Sequence, residues 1–75
     1  MPRPWKRLLA PGVPAELGAA IALAGGPTAL ARVLQVSPVS VHRWMTGSRP
    51  LAGPALFAVR AIVAHPEDLD ERKDG

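Results

Sequence analysis

The chain has no cysteine, which removes disulfides and thiolate metal sites at once. Its two histidines, His42 and His65, stand alone and form no ligand cluster, so no metal is expected. Aromatic residues are scarce, with two tryptophans and one phenylalanine in 75 residues, while alanine is abundant. That balance argues against a sheet-rich fold, where aromatic and β-branched side chains are favoured. Acidic residues are almost missing from the body of the chain. Residues 1–65 hold seven bases (Arg3, Lys6, Arg7, Arg32, Arg43, Arg49, Arg60) against the single acid Glu16, a net of +6. Residues 66–75 reverse the sign, with Glu67, Asp68, Asp70, Glu71 and Asp74 against Arg72 and Lys73, a net of −3.

The lack of paired acids in the body, of a nucleophile motif and of a glycine-rich phosphate loop argues against an enzyme. Gly25-Gly26-Pro27 reads as a helix stop. No cofactor and no small-molecule substrate are expected. No apolar run is long enough to span a membrane. The first 26 residues, "MPRPWKRLLAPGVPAELGAAIALAGG", have the basic start, apolar stretch and Ala-x-Ala of a secretory signal. Pro11, Pro14 and Glu16 break the apolar run, and what remains, Leu17 to Ala24, is about the shortest such segment known. The expectation is a cytoplasmic protein. A basic body with a short acidic tail points to a polyanionic partner, most often nucleic acid.

What is present is punctuation. Prolines and glycines cut the chain into four short helices, an all-α helix-turn-helix architecture. Residues 1–12, with Pro2, Pro4, Pro11 and Gly12, read as an irregular basic arm. A first helix over 14–24 opens at Pro14, carries Leu17, Ala20, Ile21 and Ala24 at helical spacing, and stops at Gly25-Gly26. A second spans 27–34 and a third 38–46, the latter with Ser37 as N-cap, Pro38 at the first position and Gly47 at the end. A fourth covers 54–65, before Pro66. The domain spans 13–65, and the acidic residues 66–75 form a flexible tail. A domain this small lies near the lower limit for folding alone, and such domains often gain stability by dimerising.

The second and third helices, joined by Gln35-Val36, have helix-turn-helix spacing over residues 28–47. Ala31 supplies the small side chain needed where two short helices cross steeply. Leu34, Val36 and Val41 fill the angle between them, and Ser37 satisfies free amides at the start of the third helix. Val41, Trp44 and Met45 recur at i, i+3 and i+4 and so share one face; Val41 is a core type in this motif, which places Trp44 in or beside the core. Val39, His42, Arg43 and Thr46 face the other way.

The segment "LARVLQVSPVSVHRWMTGSRP" resembles the helix-turn-helix of the Cro/C1-type phage repressor family, whose members follow "LA..LGVS...V.RW..G.R". The small size and the following "PLAGPALFAVRAIVAHP" also resemble short autoregulators encoded beside anti-CRISPR genes. The resemblance implies a sequence-specific double-stranded DNA-binding regulator, a repressor binding an inverted-repeat operator, with helix 38–46 in the major groove. It assigns groove-facing positions to Ser37, Pro38, Val39, His42, Arg43 and Thr46. One departure stands out: the turn position usually held by glycine is Gln35, and a left-handed backbone there costs a non-glycine residue about 1 kcal/mol.

Each candidate has a chemistry to offer and a plainer alternative. Arg43 can donate two hydrogen bonds to guanine O6 and N7, or bind a phosphate, or stay solvated. His42 can donate to a guanine or a phosphate, or do nothing at the surface. Val39 can pack on a thymine methyl. Ser40 can reach a phosphate or bond back to its own helix. Phosphate contacts are expected from Thr28 and the free amides at the start of the second helix. Ser48 and Arg49 follow in the next loop, with Arg32 behind them. Arg3, Lys6 and Arg7 can form an arm along the backbone or into the minor groove. In the fourth helix Leu56, Val59, Ile62 and Val63 close the core over Trp44 and Ile21, with Phe57 to one side. A homodimer is expected, with Phe57, Trp5 and Leu9 at its interface, setting two recognition helices about 34 Å apart. The competing reading is a helical protein-interaction module, or an antitoxin-like inhibitor, that keeps a helix-turn-helix shape.

Overall fold

Helix limits in this chain fall where proline, glycine and serine stop or start a backbone. The computed structural model describes residues 4–67. They form a 3-10 helix at Pro4–Leu8 and four α-helices: α1 (Ala15–Ala24), α2 (Pro27–Leu34), α3 (Pro38–Thr46) and α4 (Gly53–Ala64). No strand occurs among the described residues. The expected all-α, four-helix class is the one observed, and α2 and α3 have the expected limits.

The outer helices differ from expectation by one residue at an end. Pro14 stands just outside α1, with extended backbone (φ −55°, ψ 136°). In α4, Gly53 has φ 63°, so regular helical backbone starts at Pro54 as the sequence suggests. At the other end His65 has left the helix (φ −132°) although its N–H still donates to the Ala61 carbonyl at 2.9 Å. Pro66 explains this, because a residue before proline is pushed out of the helical region.

The joints set the angles between helices. The Gly25 and Gly26 N–H groups both donate to the Ile21 carbonyl, at 3.1 and 2.9 Å, and the chain turns by 92° between α1 and α2. At the end of α2, Gln35 takes the left-handed conformation (φ 58°, ψ 42°). Its N–H donates to the Arg32 carbonyl at 3.2 Å, and the Val36 N–H donates to the Ala31 carbonyl at 3.0 Å. That pair of bonds is a Schellman ending, which satisfies carbonyls the helix would otherwise leave open. Gln35 is the one non-glycine residue with positive φ among the described residues. Replacing it with glycine removes the left-handed strain but adds freedom to the unfolded chain. The expected net is a gain of at most about 0.6 kcal/mol, a thermal midpoint higher by about 5 °C or less. Valine at the same position should lower the midpoint. Thermal melts of the two variants check the pair.

The core lies between α1, α2, α3 and α4. Leu17, Ala20, Ile21 and Ala24 meet Leu30 and Ala31, then Val41, Trp44 and Met45, with Val59 and Ile62 closing from α4. Leu34, Val36, Leu56 and Val63 pack half-buried around it. Leu51, in the loop before α4, is also buried. On the surface, the Arg60 Nε donates to Glu16 Oε2 at 3.3 Å and ties α4 to α1. Hydrogen bonding to its own backbone amide and to Arg60 holds the Glu16 carboxyl below its ordinary pKa.

The N-terminal segment departs most from expectation. Residues 1–12 were expected to be an irregular arm, yet Pro4–Leu8 coils into a 3-10 helix that buries Trp5 in the core. The segment is fastened further on, where the Ala10 N–H donates to the Met45 carbonyl at 2.8 Å. Leu9 is half-buried against α1, its Cδ1 3.3 Å from where a Cβ on Gly18 would lie. Trp5 therefore packs within its own chain instead of at a dimer surface, and most of Leu9 does the same. Met1 to Arg3, and residues 68–75 of the acidic tail, lie outside the described residues.

Candidate nucleic-acid interface

The third helix separates into two faces as its period requires. Val41, Trp44 and Met45 are buried, while Pro38, Val39, His42 and Arg43 are exposed. Trp44 is thus a core residue and not a stacking platform. Val39 is 56% exposed although it is apolar, on the same outward face as His42 and Arg43.

Capping fixes the start of this face. The Ser37 Oγ accepts the Ser40 N–H at 3.3 Å, and the two hydroxyl oxygens lie 3.2 Å apart. Ser40 thus bonds back to its own helix start. Since one hydroxyl donates to the other, one hydroxyl hydrogen of the pair stays free for an outside acceptor. At the far end, the Thr46 hydroxyl lies 3.4 Å from the Arg43 carbonyl, to which it donates, and 3.0 Å from the Ser48 hydroxyl. Thr46 is half-buried, so it offers less to a groove than the sequence suggests. The helix stops at Gly47 (φ 81°), and the Arg49 N–H turns back to the Arg43 carbonyl at 3.2 Å.

The flanks carry the remaining candidates. Thr28 is exposed in the first turn of α2, where the Thr28 and Ala29 amides have no acceptor within the helix. Arg32, Ser48 and Arg49 are exposed. Lys6 and Arg7 are exposed on the 3-10 helix, and Arg3 lies outside the described residues. The bond from Ala10 to Met45 brings this N-terminal segment to the end of α3. Ala10 Cβ sits 3.6 Å from where a Cβ on Gly47 would lie. Sequence reasoning missed that junction. The only hint was the apolar group Trp5, Leu8 and Leu9 in a segment otherwise rich in charge and proline.

Electrostatics are one-sided. No acidic residue occurs between Glu16 and Glu67. Lys6, Arg7, Arg32, Arg43 and Arg49 make no ion pair among the described residues; Arg60, held by Glu16, does. Five exposed bases without an ion-pair partner among the described residues, in a stretch of sequence with one acid, favour a polyanionic partner. No group of three metal-ligating side chains occurs among the described residues. No helix there is long and apolar enough to cross a membrane. Phe57 stands apart from all this, 80% exposed on α4. No protein-family model, curated protein or solved structure matches the chain.

Proposed function

We propose that this chain is a sequence-specific double-stranded DNA-binding regulator. It acts in the cytoplasm as a repressor, possessing no catalytic role and blocking its operator, an inverted repeat, by occupying it as a homodimer. The observation that carries this reading is the outward face of α3. Pro38, Val39, His42 and Arg43 project from a helix whose other side is locked into the core by Val41, Trp44 and Met45. Those four side chains are exposed and outside the core cluster, and no acid lies near them in the sequence.

In this reading α3 enters the major groove with its N-terminal half leading. Arg43 reads a guanine through O6 and N7, His42 contacts the adjoining base or phosphate, and Val39 covers a thymine methyl. The free hydroxyl hydrogen of the Ser37–Ser40 pair and the open amides of Thr28 and Ala29 meet phosphates, joined by Arg32, Ser48 and Arg49. Lys6 and Arg7 extend the contact along the backbone. The likeness of residues 30–50 to Cro/C1-type repressors supports the same assignment, and that to short autoregulators supports its own promoter as a target.

A helical protein-interaction module is the second reading, and the exposure of Phe57 is what favours it. Salt separates the two. Binding to duplex DNA measured from about 50 to 200 mM salt should weaken by about 10³-fold or more if six or more phosphates are neutralised. A log–log slope near zero, or no binding to any duplex, favours the interaction module.

A further inference from the structure

Among the described residues, the imidazoles of His42 and His65 are the side chains that ordinarily change charge near neutral pH. They stand in opposite surroundings. His65 follows α4, and its Nδ1 lies 3.5 Å from the Glu67 carboxylate. His42 is exposed on the outward face of α3, with Val39 one turn before it and Thr46 one turn after. It makes no ion pair among the described residues.

The unpaired charges on the elements around His42 are all of one sign. Arg43 follows it on α3, and the Arg49 N–H donates to the Arg43 carbonyl at 3.2 Å, which brings the next loop back to the same helix. α2 contributes Arg32. The segment fastened to α3 by the Ala10-to-Met45 bond contributes Lys6 and Arg7. Both acids of the described residues are engaged elsewhere, Glu16 by Arg60 and Glu67 beside His65. The described chain thus has no unpaired carboxylate to offer the His42 imidazole. A bound duplex supplies the anion.

We propose that operator binding takes up a proton at His42, so that affinity rises as the pH falls through neutrality. The proposal rests on the DNA-binding reading above and adds how that same face is regulated. A negative charge beside an imidazole favours its protonated form. Protonation also changes what the ring can bond. Neutral imidazole has one donor and one acceptor, whereas imidazolium has two donors. Guanine O6 and N7 and the phosphate oxygens are all acceptors, so only the charged ring can donate to them from both nitrogens. A group that holds its proton more firmly in the complex than in the free chain strengthens binding as the pH falls. If the complex raises the titration of an ordinary imidazole by about one pH unit, affinity grows about sixfold from about pH 8 to about pH 6. At about pH 7 the same rise corresponds to uptake of about half a proton per bound chain.

The test is titration of a selected operator duplex and a random duplex at about pH 6, 7 and 8 and constant ionic strength, with wild type, His42→Gln and His65→Gln. Glutamine keeps a hydrogen-bond donor but does not titrate. The wild type should bind the operator about sixfold tighter at the lowest pH than at the highest, and His65→Gln should match it. His42→Gln should lose more than half of that gain on a logarithmic scale. Calorimetry in two buffers of different ionisation heat should show uptake of about half a proton by the wild type at about pH 7, and less than half as much by His42→Gln. Thermal melts across the same pH range keep folding apart from binding. A gain confined to the operator puts the acceptor on a base, an equal gain on random duplex puts it on a phosphate, and either supports the proposal. A wild-type affinity that changes by less than about twofold, or a His42→Gln variant that keeps half or more of the gain, overturns the proposal while leaving DNA binding intact. Failure of the wild type to bind any duplex removes the DNA-binding reading, and this proposal with it.

Discussion

Arg43→Ala should weaken binding to the selected operator by about 10- to 100-fold, the equivalent of about 1–3 kcal/mol, while binding to random duplex falls much less. The reasoning is geometric. Arg43 is exposed on the outward face of α3, makes no ion pair among the described residues, and is directly preceded by His42 on that face. A bidentate contact to guanine is lost only where a guanine is read, so discrimination at one base pair should relax. A competition titration with operator variants at that position measures this. Equal losses on operator and random DNA would reduce Arg43 to a phosphate contact and end its role in readout. His42→Ala and Val39→Ala should have smaller effects, since neither replaces a two-bond contact.

Trp5→Ala should cost about 3–5 kcal/mol of stability, the range for removing a buried large aromatic side chain. For a 75-residue chain that is a large share of the whole, so much of the protein should unfold near 37 °C. The expectation comes from burial of Trp5 in the same cluster as Leu17 and Trp44, and from the Ala10-to-Met45 bond that fastens the segment. A loose N-terminal arm would predict almost no change. Denaturant unfolding of the variant decides, because a loss below about 1 kcal/mol means that Trp5 is not part of the core. Leu8→Ala offers a contrast. Leu8, on the same 3-10 helix, is 47% exposed and lies outside the core cluster, so its truncation should cost much less than that of Trp5.

The sequence showed the helices well because their ends are set by single residues with strong local preferences. Ser37 and Pro38 start α3, Gly47 stops it, and Gly25-Gly26 stops α1, each through a backbone effect that needs no tertiary context. The two faces of α3 were legible for the same reason, since the 3.6-residue period alone sends Val41, Trp44 and Met45 one way and His42 and Arg43 the other. The place of Trp5 was not legible. A 3-10 turn of five residues has too little periodicity to show a buried side, and the bond that holds its neighbourhood joins residues 35 positions apart in the chain, Ala10 and Met45. The hydroxyl directions of Ser40 and Thr46 were equally hidden. Each side chain can bond to its own helix or to an outside group, and only local geometry decides between them. Gln35 lies between these cases. The spacing marked it as the turn residue, and its φ of 58° bears that out, but the sequence offered no reason for a glutamine there.

The central claim is that α3 reads a base sequence, and selection of bound duplexes from a random pool tests it most directly. The expected result is enrichment of one inverted repeat, its half-sites centred about 10 base pairs apart, with guanine at the position that Arg43→Ala relaxes. A pool that stays random after repeated selection, at low salt and with folded protein, contradicts sequence-specific DNA binding.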